Sequence, residues 1–74
     1  MIDMQNATPE ARTEDLIARG FSPQSAWSHT LCEMLGSKAD LISFAESYGV
    51  TGLKASWTVR KIVSTASAAL AELH

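Results

Sequence analysis

The chain has 74 residues, of which 46% are hydrophobic and 19% are charged, and its formal net charge is −2. This length allows one small domain, the apolar fraction excludes a disordered chain, and the charge gives no global attraction to nucleic acid or to an anionic membrane. One cysteine and two histidines exclude an internal disulfide and are too few for a four-ligand structural zinc site.

The N-terminal part of the sequence predicts a flexible tail over 1–7, which has no hydrophobic periodicity, followed by one helical domain over 8–74. Thr8 is suited to cap a helix, and Pro9 fits the first helical position, where no amide hydrogen is needed. Gly20 can adopt the left-handed conformation that ends a helix. These signals predict the first helix.

The same combination of signals recurs in the middle of the chain. Ser22 and Pro23 predict the start of a second helix, which ends at Gly36. A third helix is predicted over Ser37–Tyr48, and Gly49 ends it. No segment alternates between polar and apolar residues over the length of a strand, so we expect an all-α domain.

The last predicted helix is the longest, from about Gly52 to Leu73, with Thr51 as its cap. Its apolar residues follow steps of four and three, which is typical of one buried face. That face consists of Ala55, Val59, Ile62, Ala66, Ala69 and Leu73. We therefore expect an all-α fold in which a small bundle of three short helices packs on one longer C-terminal helix. Part of the alanine-rich face is alternatively a homodimer contact.

The residues that could support chemistry are too few for a catalytic site. His29 and Cys32 lie three apart on the second predicted helix, but no third group orients them, and a free cysteine is typically a small buried hydrophobe. The sequence has no phosphate loop and no dinucleotide fingerprint. We therefore expect no enzyme activity, no cofactor and no metal site.

Two short segments resemble known families. The segment 45–51, AESYGVT, is similar to the first helix and turn of helix-turn-helix DNA-binding proteins. The resemblance implies that the following helix reads DNA, and the face opposite its apolar residues carries Lys54, Thr58, Lys61 and Thr65. The segment 20–26, GFSPQSA, resembles the Gly-Phe turn of ubiquitin-associated domains. A helix end followed by a capped helix start produces the same letters, so we assign no function to the second segment.

An off-face tryptophan provides the preferred functional hypothesis. Trp57 projects away from the predicted buried face and is flanked by the basic residues Lys54 and Lys61. Tryptophan is enriched at interface hot spots. The candidate partner-binding residues are Lys54, Trp57, Thr58 and Lys61. We expect a cytoplasmic adaptor, inhibitor or regulatory subunit that binds a protein partner, as a monomer or as a homodimer, and does not enter a membrane. The alternative is a helix-turn-helix-like transcriptional regulator that binds nucleic acid.

Overall fold

The computed structural model describes residues 8–73, which form four α-helices and no strand. The helices are α1 (Pro9–Ala18), α2 (Pro23–Met34), α3 (Lys38–Ser47) and α4 (Val59–Leu73). The expected all-α bundle, with its longest helix at the C-terminal end, is confirmed. The predicted flexible tail over 1–7 lies outside the described residues.

The first three helices begin where the sequence predicts, because each has a hydroxyl cap. The side chains of Thr8, Ser22 and Ser37 each accept a hydrogen bond from the amide three residues later, at 3.1–3.2 Å. Pro9 and Pro23 occupy the first turns of their helices, where they leave no amide unsatisfied. Local capping therefore sets these three starts.

Glycine ends α1 and α3 in the same way. Gly20 and Gly49 both have positive φ angles, of 107° and 85°. The Gly49 amide donates to the Glu46 carbonyl at 2.9 Å, and the Val50 amide donates to the Ala45 carbonyl at 3.0 Å. These two bonds form a Schellman motif, which satisfies the last carbonyls of α3 and turns the chain away from the helix axis.

The start of the last helix differs from the prediction. Residues 48–58, between α3 and α4, are not helical. Within this segment Gly52 has a φ of 89°, which is incompatible with a right-handed helix. Thr58, not Thr51, serves as the cap, because its hydroxyl accepts from the Lys61 amide at 3.2 Å. The expected helix over Gly52 to Leu73 is therefore wrong in its first two turns, where a turn forms instead.

The buried face of α4 is also rotated from the predicted one. Val59 and Leu73, which were assigned to that face, are 43% and 62% exposed, and Ala55 lies outside the helix. The residues that α4 buries are Ile62, Val63, Ala66, Ser67 and Leu70. The rotation exchanges Val59 and Leu73 for Val63 and Leu70, which are side chains of the same types, and it also buries Ser67, whose hydroxyl donates to the Ser64 carbonyl at 3.1 Å. Side-chain size therefore does not distinguish the two faces.

The hydrophobic core lies between α2, α3 and α4. Its members are Trp27, Leu31, Leu41, Ala45, Val50, Ile62, Val63, Ala66 and Leu70. Both α2 and α3 pack against α4, whereas α1 packs chiefly against α2. Within residues 8–73, no helix is both long and apolar enough to cross a bilayer.

Candidate functional site

The structure brings the four predicted site residues together where the chain enters α4. The Trp57 amide donates to the Lys54 carbonyl at 3.0 Å, which closes a turn. Thr58 then caps α4, and Lys61 lies on the first turn of the helix. We call this group of Lys54, Trp57, Thr58 and Lys61 the Trp57 surface.

The Trp57 side chain is half-buried and lies beneath an exposed lysine. The side chain is partly buried and packs against the hydrophobic core. The Lys61 ammonium lies over the ring, with Nζ 4.4 Å from the ring centroid. This cation–π contact holds the lysine in a defined position, while Lys61 and Lys54 stay exposed. The arrangement offers a half-buried aromatic ring with one lysine ammonium over it and a second exposed lysine three residues earlier in the chain.

Basic residues accumulate around the Trp57 surface. Lys54 lies on the turn before α4, and Lys38 contacts that turn. Arg60 and Lys61 lie on the first turn of α4 itself. Lys38 belongs to this group because its Nζ donates to the Ala55 carbonyl at 3.2 Å. We call these four residues the basic end.

The ion pairs of residues 8–73 lie on α1 and α2, away from the basic end. Arg12 contacts Asp15 at 3.7 Å and Glu33 at 3.1 Å, and Arg19 contacts Asp15 at 3.1 Å. Within the described chain, the four cations of the basic end pair with no carboxylate, and Asp40 on the first turn of α3 pairs with none of them. The basic end therefore has uncompensated positive charge.

The helix-turn-helix arrangement implied by the segment 45–51 does not form. Residues 48–58 separate α3 from α4, whereas that motif joins its helices by a turn of about three or four residues. Lys54 and Thr58, which the resemblance places on the reading helix, both precede α4. The observed turn therefore gives the resemblance no geometric support.

A second site, which the sequence reasoning missed, is a pocket of about 190 Å³ beside α1. Its lining residues come from all four helices or their ends: Glu10, Glu14, Trp27, Tyr48, Leu70 and Leu73. Trp27 is 3% exposed and meets Tyr48 edge-on, with ring centroids 6.1 Å apart. The buried Trp27 Nε1 has no hydrogen-bond partner among residues 8–73. We call this site the acidic pocket.

The two carboxylates of the acidic pocket have different surroundings. The Tyr48 hydroxyl donates to Glu10 Oε2. Burial, the hydrogen bond to Glu10 and the Glu10 charge together raise the pKa of Tyr48 from 10.0 to about 12. Glu14 lies one turn further along α1 and, within the described residues, makes no hydrogen bond or ion pair. The i,i+4 spacing of two glutamates was the available sequence signal for this site.

His29 and Cys32 do not form a site. The His29 ring contacts the edge of Phe21, with ring centroids 5.1 Å apart. The Cys32 side chain is exposed, so its expected role as a buried hydrophobe is wrong. Within residues 8–73, no three His, Cys, Asp or Glu side chains lie close enough together to hold a metal ion.

No protein-family model, curated protein or solved structure matches this chain.

Proposed function

We propose that this chain acts by binding another protein, without catalysis, and that the Trp57 surface makes the contact. The observation that carries the proposal is the Lys61 ammonium held over a half-buried Trp57 ring at the capped start of α4. An aromatic ring that is already fixed loses little conformational entropy on binding, and tryptophan is the residue type most enriched at hot spots.

The charge of the basic end favours an acidic partner. Its four cations have no carboxylate partner within residues 8–73, so an acidic surface could approach without displacing an internal ion pair. Complementary charge chiefly raises the association rate and makes it depend on salt. The Trp57 ring would then provide the apolar contact at the centre of the interface. An inhibitor, an adaptor or a regulatory subunit would act in this way.

The test begins with affinity purification of the tagged chain from its native host and continues with the purified partner. We expect Trp57→Ala to weaken binding by about 2 kcal/mol, which is roughly thirtyfold in Kd. Lys61→Glu should lower the association rate and reduce its salt dependence. Arg19→Glu changes the net charge equally but lies outside the basic end, so this control should bind like the original chain.

Three results would contradict the proposal. One is a partner whose affinity is unchanged by both Trp57→Ala and Lys61→Glu. Another is retention of random duplex DNA at low salt, lost as salt rises, which would assign the basic end to phosphate binding. The third is a concentration-dependent dimer in sedimentation that Trp57→Ala abolishes, since the surface would then serve self-association.

A further inference from the structure

The acidic pocket holds two like charges with no basic residue to balance them. Glu10 and Glu14 are one turn apart on α1 and line the same cavity. Like charges at this spacing repel each other and destabilise a helix. The neighbouring base on α1, Arg12, pairs instead with Asp15 and Glu33. A cation in the pocket would remove this repulsion.

The walls of the pocket are aromatic and aliphatic. Trp27 and Tyr48 contribute aromatic rings to the lining, and Leu70 and Leu73 contribute hydrocarbon. Leu73 is 62% exposed, so one wall stands open to solvent. The unpartnered Nε1 of Trp27 is a buried donor, so it would pair with an acceptor of the occupant, such as a backbone carbonyl, and not with a positive group. Together with the two carboxylates, these walls suit a group with a hydrocarbon stem and a positive head.

The volume limits the size of the occupant. The cavity measures about 190 Å³, whereas pockets for drug-sized ligands usually span about 300–1,000 Å³. A cavity of about 150 Å³ is large enough for a benzene molecule. The acidic pocket is therefore the right size for one long side chain.

We propose that the acidic pocket binds the side chain of a lysine presented by a partner protein. The four-carbon stem lies against Leu70 and Leu73, and the ammonium group lies beside the carboxylates of Glu10 and Glu14. One oxygen of Glu10 already accepts from Tyr48, so an arginine fork could form its two parallel bonds only with Glu14, whereas an ammonium group can lie between both carboxylates. A compact ammonium, which acts as a point charge, is the better fit.

This site is separate from the Trp57 surface and does not depend on the proposed function. Leu70 lies nine residues after Lys61 on α4, which is about 14 Å along the helix axis. The two sites also require partners of opposite charge. Failure of one proposal therefore leaves the other standing.

The test follows the indole N–H signals of the full chain by NMR during titration with short blocked peptides. Trp57→Phe assigns the two signals, because Trp27 and Trp57 are the two tryptophans of the chain. The probe is acetyl-Gly-Lys-Gly-amide, and the control is the same peptide with norleucine, which keeps the stem but lacks the charge. We expect saturable shifts of the Trp27 signal with the lysine peptide and at least about tenfold weaker binding of the norleucine peptide.

Charge-neutralising variants identify the carboxylates. Glu14→Gln should weaken binding of the lysine peptide about tenfold without loss of helix content in circular dichroism, since Glu14 makes no bond within residues 8–73. Glu46→Gln is the matched control, because Glu46 is an exposed glutamate of α3 that does not line the pocket, and it should bind as the original chain does.

Four outcomes would overturn the proposal. They are no shift of the Trp27 signal, equal binding of the norleucine peptide, and equal weakening by Glu14→Gln and Glu46→Gln. The fourth is binding of free choline tenfold tighter than the lysine peptide, which would make the occupant a small quaternary ammonium compound instead of a partner's side chain.

Discussion

A buried pair of hydroxyl groups joins α1 to α2, and its removal gives the sharpest test of how α1 is held. The Oγ1 atoms of Thr13 and Thr30 are 2.8 Å apart, and both side chains are completely buried. The Thr13 hydroxyl also lies 2.8 Å from the Pro9 carbonyl, to which it donates. The Thr30 hydroxyl therefore donates to Thr13. Thr13→Val keeps the shape of the side chain and removes this acceptor.

The expected cost follows from the hydroxyl group that is left behind. In Thr13→Val, Thr30 loses its buried partner, and an unsatisfied buried polar group costs about 1–3 kcal/mol. A domain of this size is stabilised by only about 3–5 kcal/mol, so the loss is a large fraction of the total. In the double variant Thr13→Val with Thr30→Val, both hydroxyls are gone and the site is apolar. Such a replacement is nearly neutral, within about 0.5 kcal/mol of the original chain.

Urea denaturation followed by circular dichroism measures these differences. The free energy of unfolding should fall by about 1 kcal/mol per molar urea. Thr13→Val should therefore lower the urea midpoint of unfolding by roughly 1–3 M, and the double variant should largely restore the midpoint. The coupling energy from the four chains should lie between about 0.5 and 3 kcal/mol. Additive effects, or a Thr13→Val variant as stable as the original chain, would refute a buried hydroxyl pair.

Three further predictions concern other contacts. Tyr48 is the single tyrosine, so absorbance at alkaline pH reports it alone, with a midpoint near pH 12 that Glu10→Gln moves toward 10. Because the pKa of Tyr48 is higher in the folded state, the contribution of Tyr48 to stability is complete below pH 10 and is lost as the pH rises through about 12. Alkaline denaturation measures this loss. Thr58→Ala should lower the free energy of unfolding by about 1 kcal/mol, through loss of the α4 cap, whereas Thr51→Ala should leave it unchanged in thermal melts. The amides of α1 should exchange with deuterium faster than those of α2, because α1 is held by polar contacts and by one buried leucine, Leu16. Equal protection of the two helices would contradict this expectation.

Sequence reasoning was most successful where structure is decided locally. The caps Thr8, Ser22 and Ser37 act on amides three residues away, and Gly49 ends its helix through bonds to the preceding turn. Such signals need no knowledge of the rest of the chain. The number of helices and the starts of the first three could therefore be predicted from the sequence.

The start and rotation of α4 could not be predicted, because two local signals compete there. Thr51 and Thr58 are both suitable caps, and the apolar spacing continues through Ala55, so the pattern alone favoured the earlier start. Gly52 and the bulky Trp57 disfavour helix between them. The choice is made by tertiary packing, which buries Trp57 partly against the core and joins Lys38 to the Ala55 carbonyl.

Sequence spacing predicts the contact within the Trp57 surface but not the contacts within the acidic pocket. Trp57 and Lys61 are four residues apart in the sequence, and their side chains are in contact. They meet even though the observed helix begins only at Val59, between the two residues. The acidic pocket is different, because Tyr48 and Glu10 are 38 residues apart and only the packing of α1 beside the end of α3 brings them together. The sequence itself places Glu10 and Glu14 on α1 and most basic residues around the start of α4, and packing adds Lys38 to that basic group. A net charge of −2 conceals this separation, on which both proposed partner contacts depend.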